Sequence, residues 1–177
     1  GHDARLAPLV EQVMLMAGNT FADLRRIAVV VGPGSFTGLR TGVAFARGLS
    51  LALGIPAVGV TSLEALGGLP QDGYVLGLLP AKRRPPERTW WGQLIDQGRG
   101  GAEPFEAAEE ELAAHASGVD AVCGGLAGVP DFGSRRIVAA PTAKAAALFA
   151  SRLAANDLPP PRPVYVREPD AKPMARP

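Results

Sequence analysis

Residues 27–53 constrain the fold more than any other stretch. An unbroken apolar run, Ile27-Ala28-Val29-Val30-Val31, enters Gly32-Pro-Gly-Ser-Phe-Thr-Gly-Leu-Arg-Thr-Gly42, and an apolar helical pattern continues to Leu53. A short β-branched run of this kind predicts a strand covered on both faces. Four glycines within the eleven residues that follow let other groups approach the backbone closely. Strand, glycine-rich turn and helix start together form an arrangement that cradles anions on backbone N–H groups. The helix is expected over residues 39–53, capped by Ser35 or Thr37 and stopped by Gly54 before Ile55-Pro56. Glycine inside a helix costs about 1 kcal/mol relative to alanine. Close packing of another element is therefore expected at Gly38, Gly42 and Gly48.

The spacing tests which phosphate chemistry the turn supports. A Walker loop has four residues between its glycines and a lysine after the second. Here five residues separate Gly32 from Gly38, and Leu39 stands in the lysine position. A dinucleotide fingerprint, Gly-x-Gly-x-x-Gly, fails by one residue, because three residues lie between Gly34 and Gly38. The general physics of a helix N-terminus still allows an anion here, with Gly32, Gly34, Ser35, Thr37, Gly38 and Arg40 as the candidate residues. The other reading is a tight corner that brings strand and helix together.

No other constellation carries chemistry. His2 and His115 are the only histidines and form no metal-binding pair. Cys123 is the only cysteine, so no intramolecular disulfide forms. Ser35 lacks the Gly-x-Ser-x-Gly context of a nucleophile elbow. Glu106, Glu109, Glu110 and Glu111 read as one solvated face of a helix over residues 105–116. Eighteen basic residues balance seventeen acidic ones, which gives no global case for nucleic-acid binding. No run approaches the ~18 apolar residues of a membrane span, and a cytoplasmic protein is expected.

Strands and helices alternate along the chain, which argues for an α/β fold. A helix over residues 3–17 carries Leu6, Leu9, Val10, Val13 and Met14 at helical spacing, with Pro8 in its first turn and Gly18 as its stop. Leu15 and Met16 widen its apolar stripe beyond one packing face, which points either to burial on two sides or to a frayed helix in a small core. Strands are expected at 57–60, 74–79, 89–95, 119–123 and 136–139, a short helix at 62–66, and an alanine-rich helix at 142–155. Residues 74–79 and 89–95 should pair as a hairpin around a basic loop bearing Lys82, Arg83, Arg84 and Arg88. Two lobes are expected, residues 1–68 and 69–177, with a non-helical, proline-rich tail from about residue 159. Arg40, Val43, Ala44, Arg47 and Leu51 join the first helix's apolar residues as a candidate protein-binding face, since arginine among small apolar residues suits an interface.

These motifs resemble the TsaB (YeaZ) family. The resemblance rests on Gly32 to Arg40, Gly42-Val43, Gly48-Leu49, Gly54-Ile55-Pro56 and Val58-Gly-Val-Thr-Ser-Leu-Glu-Ala65. It returns in Tyr165-Val-Arg-Glu-Pro-Asp-Ala-Lys-Pro173. It implies an actin-like, RNase H-like (ASKHA) fold of two lobes. It further implies a non-catalytic subunit of the machinery that makes threonylcarbamoyladenosine (t6A). Such a subunit would pair through helices 3–17 and 39–53 with a catalytic sister, TsaD, while an ATPase, TsaE, docks on the pair. The complex would transfer threonylcarbamoyl to N6 of adenosine 37 in tRNAs reading ANN codons. ATP and a metal ion would belong to the partner subunits, tRNA would be met through the complex, and the free protein would be a monomer or a homodimer.

Two departures stand out. The family opens with an Asp-Thr-Ser strand and a β-meander that this sequence lacks, so an N-terminally truncated fold is expected, with one edge of strand 27–31 exposed. The family's Asp-containing entry to the hairpin reads Pro80-Ala-Lys-Arg-Arg-Pro-Pro-Glu-Arg-Thr-Trp90 here. The alternative function is an actin-like ATP-binding phosphotransferase or ATPase that uses the Gly32–Gly38 loop.

Overall fold

The computed structural model describes residues 5–66, 73–81, 88–96 and 102–166. Its elements are α1 (Leu6–Met16), β1 (Ile27–Gly32), α2 (Phe36–Leu53), β2 (Ala57–Thr61), β3 (Tyr74–Pro80), β4 (Thr89–Asp96), β5 (Phe105–Ala108), α3 (Leu112–His115), β6 (Ala121–Gly124), β7 (Arg135–Val138) and α4 (Ala143–Arg152). They build two sheets, a parallel pair β1-β2 and a mixed five-stranded sheet ordered β5-β4-β3-β6-β7. In the larger sheet β3, β4 and β5 form an antiparallel meander, and β6 and β7 run parallel to β3.

The β1-β2 pair lies between two helices. Ala28, Val30, Val58 and Val60 face α4, where they meet Ala146, Phe149 and Ala150. On the other face Val29 lies 3.8 Å from where a Cβ on Gly42 of α2 would sit. Thr142 caps α4 by accepting from the Ala145 amide at 3.0 Å. Arg26, just before β1, donates to the Ala150 and Leu153 carbonyls at the other end of α4. A cation at a helix C-terminus is favoured electrostatically as well. The sequence division at 68 is therefore not a packing division, because α4 belongs with the first sheet.

The larger sheet has a core on each face. Leu76, Leu78, Trp90, Leu112, Val122 and Leu126 fill one. Leu63 and Leu66, from the turn after β2, cover the other with Val75, Ala121 and Cys123. That turn joins the two sheets.

Several expectations need correction. β1 is only half-buried from Ile27 to Val30, and burial is complete only at Val31 and Gly32. Its second edge pairs with no strand among the described residues. Residues 62–65 form hydrogen-bonded turns and Leu66 an isolated bridge to Pro141, not a helix. The expected helix 105–116 is instead β5, a 3-10 turn at Glu109–Glu111 and the one-turn α3. Phe105 pairs with Gly92 and Ala107 with Trp90, and this edge pairing outweighs the helix propensity of alanine and glutamate. Helix α1 buries no residue fully and covers only one side in part, at Leu6, Val10 and Met14, so burial on two sides is not what forms.

Candidate functional site

The glycine turn is held by its neighbours on every side. β1 ends at Gly32, whose φ of 119° lies in the region that favours glycine; its bond to Pro33 is cis. The carbonyls of Gly32 and Pro33 both accept from Ser62, the first from its amide at 2.8 Å and the second from its hydroxyl at 2.7 Å. Ser35 caps α2 by accepting from the Gly38 amide at 3.5 Å. The helix therefore starts at Phe36, three residues before the expected Leu39, and Gly38 lies inside it. A Cβ on Gly38 would meet only the Ser35 side chain, and one on Gly48 would meet nothing within 4 Å. Even at Gly42 the 3.8 Å approach to Val29 is an ordinary contact that an alanine would tolerate, so the expected close packing explains none of the three helix glycines.

The chain's own tail crosses this turn. Leu158 packs into the α4 cluster, and the Pro159 carbonyl then accepts from the Gly59 amide of β2 at 2.9 Å. The Pro160 carbonyl oxygen lies 2.8 Å from where a Gly59 Cβ would be, and the Val164 carbonyl oxygen 2.6 Å from a Gly32 Cβ. The Val164 amide donates to Val31 at 2.8 Å. Two glycines that read as part of a ligand loop and a strand are thus the places where a strap of tail backbone lies against the sheet. Beyond it, Tyr165 reaches the first turn of α2. Its ring centroid is 5.2 Å from that of Phe36, and its hydroxyl accepts from Arg40 Nε at 3.1 Å. The Arg40 guanidinium carbon lies 3.8 Å from the centre of the Phe36 ring.

The candidate protein-binding residues divide by exposure. On α1, Leu9 is 52% and Val13 62% exposed, with Leu15 and Met16 more so. Leu6, Val10 and Met14 are half-buried. On α2, Arg40, Ala44, Arg47 and Leu51 are all exposed, as is Gly48 on the same face. Val43 is the correction: it is 3% exposed and lies with Leu39 and Ala46 on the inward side.

A buried polar cluster, not foreseen as a site, sits where the sheets meet. Thr61 and Glu64 cap each other, with the Thr61 amide donating to Glu64 Oε2 at 2.8 Å and the Glu64 amide to Thr61 Oγ1 at 3.0 Å. The spacing Thr-x-x-Glu is a readable capping-box signal. Gln93 of β4 completes the cluster. It accepts from the Thr61 hydroxyl at 2.6 Å and donates to Glu64 Oε1 at 3.4 Å. Burial raises the Glu64 carboxyl above its ordinary value of 4.5, against the opposing hydrogen bonds from Thr61 and Gln93.

Other candidate groups are placed as follows. Cys123 is buried in β6, and burial pushes its thiol up to about 11, far from nucleophilic at neutral pH. His115 stacks on Phe105 with ring centroids 3.9 Å apart. His2, Lys82 to Arg84 and the ending from Arg167 onward lie outside the described residues. Among the described residues no cluster of three His, Cys, Asp or Glu side chains is placed to hold a metal ion. No helix there is long and apolar enough to cross a membrane.

Comparison with known proteins places this geometry. A family model described as TsaD, tRNA N6-adenosine threonylcarbamoyltransferase, matches residues 1–71. An uncharacterized protein of Mycobacterium tuberculosis is 36% identical over 179 aligned positions, covering 98% of this chain and 79% of that protein. The tRNA threonylcarbamoyladenosine biosynthesis protein TsaB of Escherichia coli is 33% identical over 91 positions. That match covers 50% of this chain but only 39% of the longer relative. A solved Pseudomonas aeruginosa structure, described as similar to the peptidase YeaZ, superposes with a TM-score of 0.67 and 25% identity, covering 94% of this chain and 85% of that one. The mixed α/β architecture is of the actin-like, RNase H-like kind. By sequence and by fold, the chain belongs to the TsaB (YeaZ)-like family.

Proposed function

We propose that this chain is a non-catalytic subunit of the t6A machinery, required for threonylcarbamoyl transfer to N6 of adenosine 37 in tRNAs reading ANN codons. It pairs through α1 and the outer face of α2 with a TsaD-type catalytic subunit, and a TsaE-type ATPase acts on the pair. ATP and metal chemistry reside in those partners. One observation carries the reading: α1 is built largely of Leu, Val and Met, yet none of its residues is buried. An amphipathic helix gains most of its stability from packing its apolar face. An apolar face left open on a folded chain marks a surface for another protein.

The glycine loop gives the phosphotransferase alternative little support. Its Gly38 amide is taken by Ser35, and its Gly32 flank is covered by the tail. Co-purification with the TsaD-type subunit, followed by an assay of adenosine-37 modification with and without this chain, tests the proposal. We expect a stable complex and modification that depends on this chain. Modification at an unchanged rate in its absence overturns the reading. ATP turnover by this chain alone, abolished by Gly34→Val or Thr37→Val, would establish the phosphotransferase instead.

A further inference from the structure

Arg40 is an exposed residue of α2 that is nonetheless held. Its guanidinium carbon sits 3.8 Å over the centre of the Phe36 ring, and its Nε donates to a hydroxyl from a residue 125 positions away. An arginine on an open helix face ordinarily samples many rotamers, and ordering it on binding weakens association. Here the ordering is already done within the free chain. The strap makes this reach feasible, because Val164 is bonded to β1 and lies against Gly32 immediately before Tyr165. Among the described residues no group engages the terminal nitrogens of Arg40. Within the described residues, then, the four N–H donors of those terminal nitrogens face no acceptor, and they suit a planar one.

We infer that Tyr165 is a positioning residue for pairing. Docked on Phe36, it presents Arg40 pre-oriented to a carboxylate of the partner subunit. The inference rests on the pairing proposed above and adds that the tail strap is part of what makes the interface tight.

The test is a double-mutant cycle on the complete chain, with affinity for the TsaD-type subunit measured by calorimetry. Tyr165→Phe removes the acceptor and keeps the ring, and we expect about threefold weaker pairing. Tyr165→Ala, which also removes the ring, is expected to weaken pairing about tenfold. Arg40→Lys should not rescue an Arg40→Ala loss, because lysine has neither the Nε donor nor the planar fork. In the Arg40→Ala background both Tyr165 substitutions should be silent. A merely structural Tyr165 would give the same loss with or without Arg40. Wild-type affinity in both Tyr165 variants, or equal losses in the two backgrounds, overturns the positioning role while leaving the pairing intact. No binding by the wild-type chain overturns the pairing itself, and the positioning role with it.

Discussion

At the scale of single residues, Glu64 is the group whose burial has a measurable consequence. It is 9% exposed and hydrogen-bonded only to neutral groups, the Thr61 amide and the Gln93 side chain. Desolvation penalises the carboxylate more than those bonds favour it, so the folded-state value lies above 4.5. The folded state then retains a proton that the unfolded chain has released. Its contribution to stability is fully present below 4.5 and is lost as pH rises through the raised folded value. We expect urea denaturation of the wild-type chain to show this decline from pH 4.5 toward neutrality. Glu64→Gln should flatten it. The variant should also be less stable at low pH by about 1–3 kcal/mol, since an amide N–H₂ must face another donor in the cluster. Parallel pH curves for the two proteins would assign the decline to other groups. The Thr61–Glu64 half of this cluster was legible as a capping box. The Gln93 half was not, because no local pattern ties a residue in one strand to a turn 29 positions earlier.

At the scale of elements, the two helices with open faces make the sharpest prediction. Val13 is 62% exposed and Ala44 is exposed, so neither substitution disturbs an internal contact. Val13→Asp and Ala44→Arg should each cost the isolated chain less than about 1 kcal/mol, the range of surface and propensity effects. Each should weaken pairing at least about tenfold, because a charge or a bulky side chain would enter a desolvated contact. Sedimentation velocity of the mixed subunits, with thermal unfolding of each variant alone, separates the two effects. Undiminished association would remove these faces from the interface. Gly48 fits the same surface, since nothing within the chain fills the space beside it.

Elements with local signatures were readable from sequence. Ser35 and Gly54 bound α2, Thr142 starts α4, and β3 and β4 pair as a hairpin. The segment 105–116 was misread because Glu-Ala-Ala-Glu-Glu-Glu favours helix locally. The competing signal was only four residues long: Phe105 and Ala107 alternate toward the core cluster while Glu106 bonds Thr89. Edge-strand pairing with β4 then decided the outcome.

At the scale of the whole molecule, what links the sheets is not chain order but the turn at 61–66 and the return of α4 and the tail. The complementarity of Ala146, Phe149 and Ala150 with Val58 and Val60 could not be assigned from sequence, since several apolar faces compete for any alanine-rich helix. Leu63 tests the linkage directly. It follows β2 of the small sheet by two residues, yet it is fully buried against the large one. It packs directly over Gly77 of β3, where a Cβ would lie 3.4 Å from the Leu63 Cβ. Leu63→Ala should cost about 2–5 kcal/mol through lost burial and an incompletely collapsed cavity, a large share of the roughly 5–15 kcal/mol that holds a domain of this size. If the turn couples the sheets, that loss must appear in both. Trp90 and Trp91, the only tryptophans, sit on β4, so their fluorescence reports the large sheet. Amide exchange at Val58 and Val60 reports the small one. We expect both probes to follow one unfolding transition in the wild-type chain and to shift by the same free energy in Leu63→Ala. A variant in which tryptophan fluorescence shifts while exchange in β2 holds its wild-type protection would mean that the sheets unfold separately. The turn would then be a point of contact and not the joint of the fold.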